Sequence, residues 1–278
     1  MNLANDIRSV SAAAGEVAVC WLGQAGFFLK DERGNTLVLD PYLSNCGERM
    51  RGFKRLSAML IGPEELAPDY HVTTHLHFDH FDYDAIPVIA QNSPKTLFLG
   101  PSSCVNKFQE IGVPGGRCYR LDRGDVYKDR AITIQAVLAD HGDMAPDAIG
   151  VLLEMGGHRL YFSGDTAFHE DLFERVADFG PDAAFLSING QFGNMDAREG
   201  ADAALLTGAP NAVPCHCWTF AEHKGDPGAF CDALRDAARC RAVCFRQGEI
   251  QILNRENQLL EGRECMDESY PLYAAGSH

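Results

Sequence analysis

Residues 73–82 read TTHLHFDHFD. His75, His77, Asp79 and His80 fall within six consecutive positions of a chain that has ten histidines in all. In an extended segment His75 and His77 share one side, while Leu76 faces the other and suits a core. Asp79 and His80 follow where the chain turns towards a helix over 83–91, which Asp82 can cap. A single histidine there would read as a helix start that happens to carry an imidazole. Three histidines and an aspartate point instead to a cation site, because imidazole and carboxylate together suit zinc, manganese or iron.

The segment YHVTT, 70–74, reads as the strand that feeds this cluster. Upstream, 16–21, 26–30 and 36–39 read as consecutive short strands, with Gly23, Gly26, Gly34 and Asn35 at the turns. Asp40-Pro41 stops the third strand, and 44–69 reads as a long connection with a basic run, Arg49, Arg51, Lys54 and Arg55. Downstream, strands are expected at 96–99, 118–121, 132–139 and 183–188, with a hairpin over 149–164 turned at Gly156-Gly157. Helices are expected over 102–111, 169–178, 197–208 and 227–239, and a strand pair around 243–253. His141, Asp165 and His216 each follow such a strand, where strand carboxyl ends meet ligands. Strands come first and then alternate with helices, and this happens twice without a break in composition. One domain over 1–265 is expected, followed by a weakly ordered tail over 266–278.

Five motifs now stand in order: Asp40 in VLDPYLS, the stretch THLHFDH, His141 in ADHGD, Asp165 in FSGDT and His216 in PCHCW. In this the chain resembles the metallo-β-lactamase-fold hydrolase superfamily. The resemblance implies an α/β fold, an αββα sandwich of two mixed β-sheets flanked by helices, with metals at one edge. It implies that His75, His77 and His141 hold one divalent cation and that Asp79, His80 and His216 hold a second. Asp165 would bridge the two, and Asp40 would orient a ligand histidine from behind. The cations implied are Mn²⁺ or Zn²⁺, holding between them a hydroxide that attacks the substrate, with Asp79 and Asp165 as the carboxylates nearest the chemistry. The second motif position is His77, as in hydrolases of this fold, where the diiron electron-transfer branch usually has a glutamate. Hydrolysis is therefore favoured over redox chemistry.

The stretches at 100–125, 185–196 and 212–227 resemble the L-ascorbate-6-phosphate lactonase (UlaG-like) branch, which implies attack on a lactone carbonyl. Arg49 and Arg51 would then meet a substrate phosphate or carboxylate, though a solvated loop face explains a basic run equally well. Asn189 could donate to an oxyanion, and Gly190 could let backbone approach a ligand; an ordinary Asn-Gly turn is the plainer reading. His169 and His223 are placed at the cleft mouth. Cys215 and Cys217 alternate with His216 and read as buried thiols.

Composition bounds the partners. Twenty-four basic against thirty-nine acidic residues leave a net charge of −15, which repels nucleic acid and anionic membranes and leaves small esters; that the small-molecule substrate is anionic is what the lactonase resemblance implies. The first residues are charged and lack an apolar run, and no stretch of about twenty apolar residues occurs. Ten cysteines without a secretory signal read as reduced thiols in the cytoplasm. A homo-oligomer is the default assembly. Three other functions fit less well: a small-molecule phosphodiesterase using the same metals, a metal-binding sensor, and a diiron redox protein.

Overall fold

The structure is a computed structural model and describes residues 2–261. Helix α1 (Leu3–Ser9) precedes three strands, β1 (Val17–Gly23), β2 (Gly26–Asp31) and β3 (Thr36–Leu39). After α2 (Cys46–Arg51), strands β4 (Tyr70–Val72), β5 (Leu97–Gly100) and β6 (Cys118–Arg120) alternate with helices α3 (Ala85–Asn92) and α4 (Ser102–Glu110). A meander follows: β7 (Val126–Lys128), β8 (Ile132–Leu138), β9 (Ile149–Met155) and β10 (His158–Phe162). Helices α5 (Glu170–Ala177), α6 (Ala197–Thr207) and α7 (Pro227–Leu234) then alternate with β11 (Ala183–Ser187), β12 (Asn211–Cys215) and β13 (Arg241–Ala242). Strands β14 (Ile250–Leu253) and β15 (Leu259–Glu261) complete the described chain.

The strands form two mixed sheets, ordered β15-β14-β1-β2-β3-β4-β5-β6 and β13-β12-β11-β10-β9-β8-β7. Alternation along each strand explains why the sheets stack. Val17, Val19 and Trp21 of β1 join Ile149, Val151 and Leu153 of β9 in one buried cluster between the sheets. Phe27 of the first sheet lies 4.7 Å from Phe185 of the second, ring to ring. The opposite residues of β1, Ala18 and Cys20, pack outward with Leu3 and Ile7 of α1, Ile86 of α3 and Phe108 of α4. On the other flank, Leu172 of α5, Ala204 of α6 and Phe230 of α7 cover Leu152, Ala184 and Ala212. Three layers of burial make the αββα sandwich that the motifs implied.

Several expectations need correction. The segment 243–253 is not a strand pair: β13 joins β12 in the second sheet, whereas β14 joins β1 in the first. Strand pattern alone does not say which sheet a strand enters. The last helix stops at Leu234, not 239, since Arg235, Asp236 and Arg239 bring no large apolar side chain to bury. The connection 44–69 holds a helix, α2, and both α1 and β7 went unforeseen. His75 and His77 lie in a bend after β4, not in a strand. The tail expected over 266–278 falls outside the described residues. No helix among the described residues is long and apolar enough to cross a membrane.

The sandwich is tight where it serves the cluster. A Cβ on Gly100, at the end of β5, would approach within 2.8 Å of the Thr73 carbonyl oxygen and 3.0 Å of Cys104 Cβ. Thr73 leads directly to Thr74 and His75. Gly100→Ala is expected to cost about 1–3 kcal/mol by overpacking, a fall in Tm of roughly 2–12 °C for a chain this size. A melting curve matching the unsubstituted protein would show that β4 and β5 separate freely at this point.

Candidate metal centre

Asp40 follows β3, the histidine cluster follows β4, His141 follows β8, Asp165 follows β10 and His216 follows β12. Two sheets therefore deliver polar side chains to one edge of the sandwich. Two groups of donors result, His75, His77, His141 and Asp165 in one and Asp79, His80 and His216 in the other, each with its ligand atoms within 4.8 Å of one another. In the first, His77 Nδ1 lies 3.0 Å from His75 Nε2 and 3.2 Å from His141 Nε2. In the second, His216 Nε2 lies 3.0 Å from His80 Nε2 and 3.2 Å from Asp79 Oδ2.

Asp165 touches both groups. Its Oδ2 is 3.8 Å from His141 Nε2, and its Oδ1 is 3.1 Å from His80 Nε2 and 3.5 Å from His216 Nε2. Gly164, with φ of +59°, makes the turn that presents it; a Cβ there would stand 2.7 Å from the Ile149 carbonyl oxygen.

Asp40 lies behind the cluster, fully buried, with φ of +44°. It accepts hydrogen bonds from Thr74 N–H at 2.8 Å, Thr74 Oγ1–H at 2.6 Å and His80 Nδ1–H at 2.7 Å. The last of these fixes the His80 tautomer and leaves Nε2 to face Asp165 and His216.

Burial opposes ionisation of Asp79 and Asp165, but the histidines around them win and hold both carboxyls below the usual range. Burial, reinforced by His80, keeps His75 well below the usual imidazole value, and it lowers His77 and His141 too. For His80 burial works the same way, yet Asp165 and Asp40 outweigh it and raise the group. Neutral imidazoles and ionised carboxylates are the forms that bind cations, so His75, His77, His141, Asp79 and Asp165 are in that form, while His80 must release a proton to a cation that binds.

A cation fits this donor set on a further observation. The buried Asp165 Oδ1 makes no hydrogen bond of acceptable geometry, although His80 Nε2 and His216 Nε2 stand 3.1 and 3.5 Å from it. Buried carboxylate oxygen crowded by imidazole nitrogens without hydrogen bonds is costly unless a positive charge sits between them.

The other singled-out residues divide. Asn189 is buried just past β11, and neither its Nδ2 nor its Oδ1 has a hydrogen-bond partner. Gly190 takes φ of +62° and donates its N–H to the Met195 carbonyl. Of the basic run, Arg49 pairs with Asp84 at 2.5 Å, and Arg55 donates to the carbonyls of Tyr42 and Ser44 while lying over the Tyr42 ring. Arg51 and Lys54 are exposed. His223 is half-buried, its ring stacked on His216 with centroids 4.7 Å apart, and burial pushes it down to about 4. His169 pairs with Asp140 at 2.7 Å, half-exposed. Cys215 and Cys217 are buried in the inter-sheet core.

Two residues escaped the sequence reading. Gln24 donates Nε2–H to Asp79 Oδ2 at 2.6 Å, and Asn194 donates Nδ2–H to Asp165 Oδ2 at 2.6 Å. Each sits in a turn, 55 and 29 residues away from its partner, and a lone amide in a turn carries no signal of that contact.

A family model described as "Beta-lactamase superfamily domain" matches residues 35–217. The chain is 27% identical to a UPF0173 metal-dependent hydrolase of Polynucleobacter asymbioticus, over 86% of this chain and 87% of that one. It is 28% identical to a protein of Escherichia coli named "Probable L-ascorbate-6-phosphate lactonase UlaG", over 81% of this chain and 76% of that one. Among solved structures, Igni18, a metallo hydrolase of Ignicoccus hospitalis, shares the fold with a TM-score of 0.68 and 21% identity, covering 85% of this chain and 98% of that chain.

Proposed function

The chain belongs to the beta-lactamase superfamily, and on that premise we propose that this metal-dependent hydrolase holds a pair of divalent cations, Mn²⁺ or Zn²⁺, and opens the lactone ring of an anionic sugar acid. The observation that supports the pair best is Asp165, whose two oxygens face separate donor groups, one within 3.1 Å of His80 and the other 3.8 Å from His141. A lactone is favoured by the similarity to the Escherichia coli protein.

When bound, such cations supply a water acidic enough to be a nucleophile near neutral pH and polarise the carbonyl under attack. The protein's own contribution is placement. His75, His77 and His141 would hold one cation, and Asp79, His80 and His216 the other, with Asp165 within reach of both donor groups. Asp40 and Thr74 lock the His80 ring from behind, so its Nε2 cannot turn away. Asn189, buried with an unpartnered Nδ2–H, is suited to donate to a carbonyl oxygen as negative charge gathers on it. With Arg49 engaged by Asp84 and Arg55 by backbone carbonyls, Arg51 and Lys54 are the residues of the run left to meet an anionic substituent.

The test is hydrolysis of L-ascorbate 6-phosphate by chelator-stripped protein reloaded separately with Mn²⁺ and Zn²⁺. Turnover that returns with one metal and is absent without it is the expected result. A reloaded protein that leaves this lactone intact yet cleaves small phosphodiesters would replace the substrate class.

A further inference from the structure

Gln24 stands in the turn between β1 and β2 and is fully buried. Its backbone holds φ of +55°, a region that residues with a side chain adopt only where surroundings insist. Here three contacts do so. The Gln24 carbonyl accepts a hydrogen bond from His216 N–H at 2.9 Å and another from Trp21 Nε1–H at 2.9 Å. The side-chain Nε2–H donates to Asp79 Oδ2 at 2.6 Å. One residue of the first sheet thus grips both His216, from the second sheet, and Asp79, from the loop after β4. Those are two of the three donors in one group, and no hydrogen bond joins Gln24 to His75, His77, His141 or Asp165.

The side chain is also incomplete. Gln24 Oε1 is buried and has no hydrogen-bond partner. Such an acceptor is disfavoured until a donor arrives, and a hydrated cation beside Asp79 brings O–H donors. Nε2 further lies 3.2 Å from His216 Nε2 and 3.4 Å from His223 Nδ1.

We infer that Gln24 is a positioning residue that controls occupancy of the metal position formed by Asp79, His80 and His216, and not of the position formed by His75, His77 and His141. The side chain aims the Asp79 carboxylate, and the backbone carbonyl sets the path of His216. This inference rests on the two-cation reading.

The experiment is a Co²⁺ titration of chelator-stripped protein, followed by visible absorption and by competition with a chromophoric chelator. It compares the unsubstituted chain with Gln24→Met, which keeps side-chain length and the backbone contacts but removes the N–H donor. The expected result is uptake of two Co²⁺ by both proteins, with one affinity unchanged and the other reduced about 10–100-fold in Gln24→Met, the range typical for partners that orient a ligand. Equal affinities in the two proteins overturn the inference, and so does an equal loss at both positions, which is how a merely structural role behaves. Uptake of a single Co²⁺ by the unsubstituted chain removes the two-cation reading along with it. A second measurement needs no folded variant at that position. In ¹⁵N-glutamine-labelled unsubstituted protein, the side-chain amide whose nuclear Overhauser contacts identify it as Gln24 should shift with one of the two equivalents of Zn²⁺ and not with the other; a shift with neither, or an equal shift with both, overturns the assignment.

Discussion

Asp165→Ala is expected, on the two-cation reading, to lower turnover by roughly 10³-fold or more, because several kcal/mol of transition-state stabilisation would depend on the metals it positions. Its place explains why no other single donor should matter as much. The carboxylate is the one group that reaches both donor sets, with Oδ1 3.1 Å from His80 Nε2 and Oδ2 3.8 Å from His141 Nε2. Removing it leaves six imidazole or carboxylate donors that no longer share an anion, and Asn194 loses its acceptor. Metal content, measured by elemental analysis after gel filtration, should fall with activity. His77→Ala should lose metal from one position only, since His77 contacts His75 and His141 and makes no hydrogen bond to the Asp79 group. Secondary structure should persist in both variants, as neither side chain belongs to an apolar core cluster. An Asp165→Ala protein with full turnover and full metal content would remove Asp165 from the centre.

The difference between what was legible in the sequence and what was not follows from the range of the contacts. His75, His77, Asp79 and His80 are neighbours in the chain, so their common purpose shows as spacing. His141, Asp165 and His216 are far apart, but each sits where a strand ends, and strand ends are visible as the stop of an apolar run. Gln24 and Asn194 have neither signal. They matter because turns from separate strands meet at the sandwich edge, and a turn amide looks the same whether it faces solvent or a buried carboxylate. The stacking of His223 on His216 was hidden for a related reason: it follows β12 by a loop that passes through the positive φ of His216 and Trp218. The layers were legible through the family resemblance that the five motifs carry, whereas the destination of β13 and β14 was not, since the strand pair read around 243–253 gives no sign that β13 and β14 belong to different sheets.

Asp40→Ala is expected to weaken the fold and the metal centre together. The carboxylate is buried and is the acceptor for three donors, Thr74 N–H, Thr74 Oγ1–H and His80 Nδ1–H. Truncation leaves all three without an acceptor and deprives His80 of one of its two nearby carboxylates. Breaking a buried charged contact of this kind costs about 3–5 kcal/mol. Alanine adds a further cost of about 1–2 kcal/mol at a left-handed backbone position, where aspartate and asparagine are better tolerated. The His80 ring, no longer held at Nδ1, becomes free to turn, and metal affinity should drop by roughly 10–100-fold. Asp40→Asn separates these effects. It keeps an acceptor and suits the backbone, but its NH₂ must face either Thr74 or His80, both of which already donate. The expected order of stability in urea, measured on metal-free protein, is therefore unsubstituted, then Asn, then Ala. Metal affinity should fall in both variants, because even the Asn variant loses the anion that makes His80 a better ligand. If both variants unfold within about 1 kcal/mol of the unsubstituted chain, the size of an ordinary surface substitution, then Thr74 and His80 find other partners and Asp40 does not hold the centre in place.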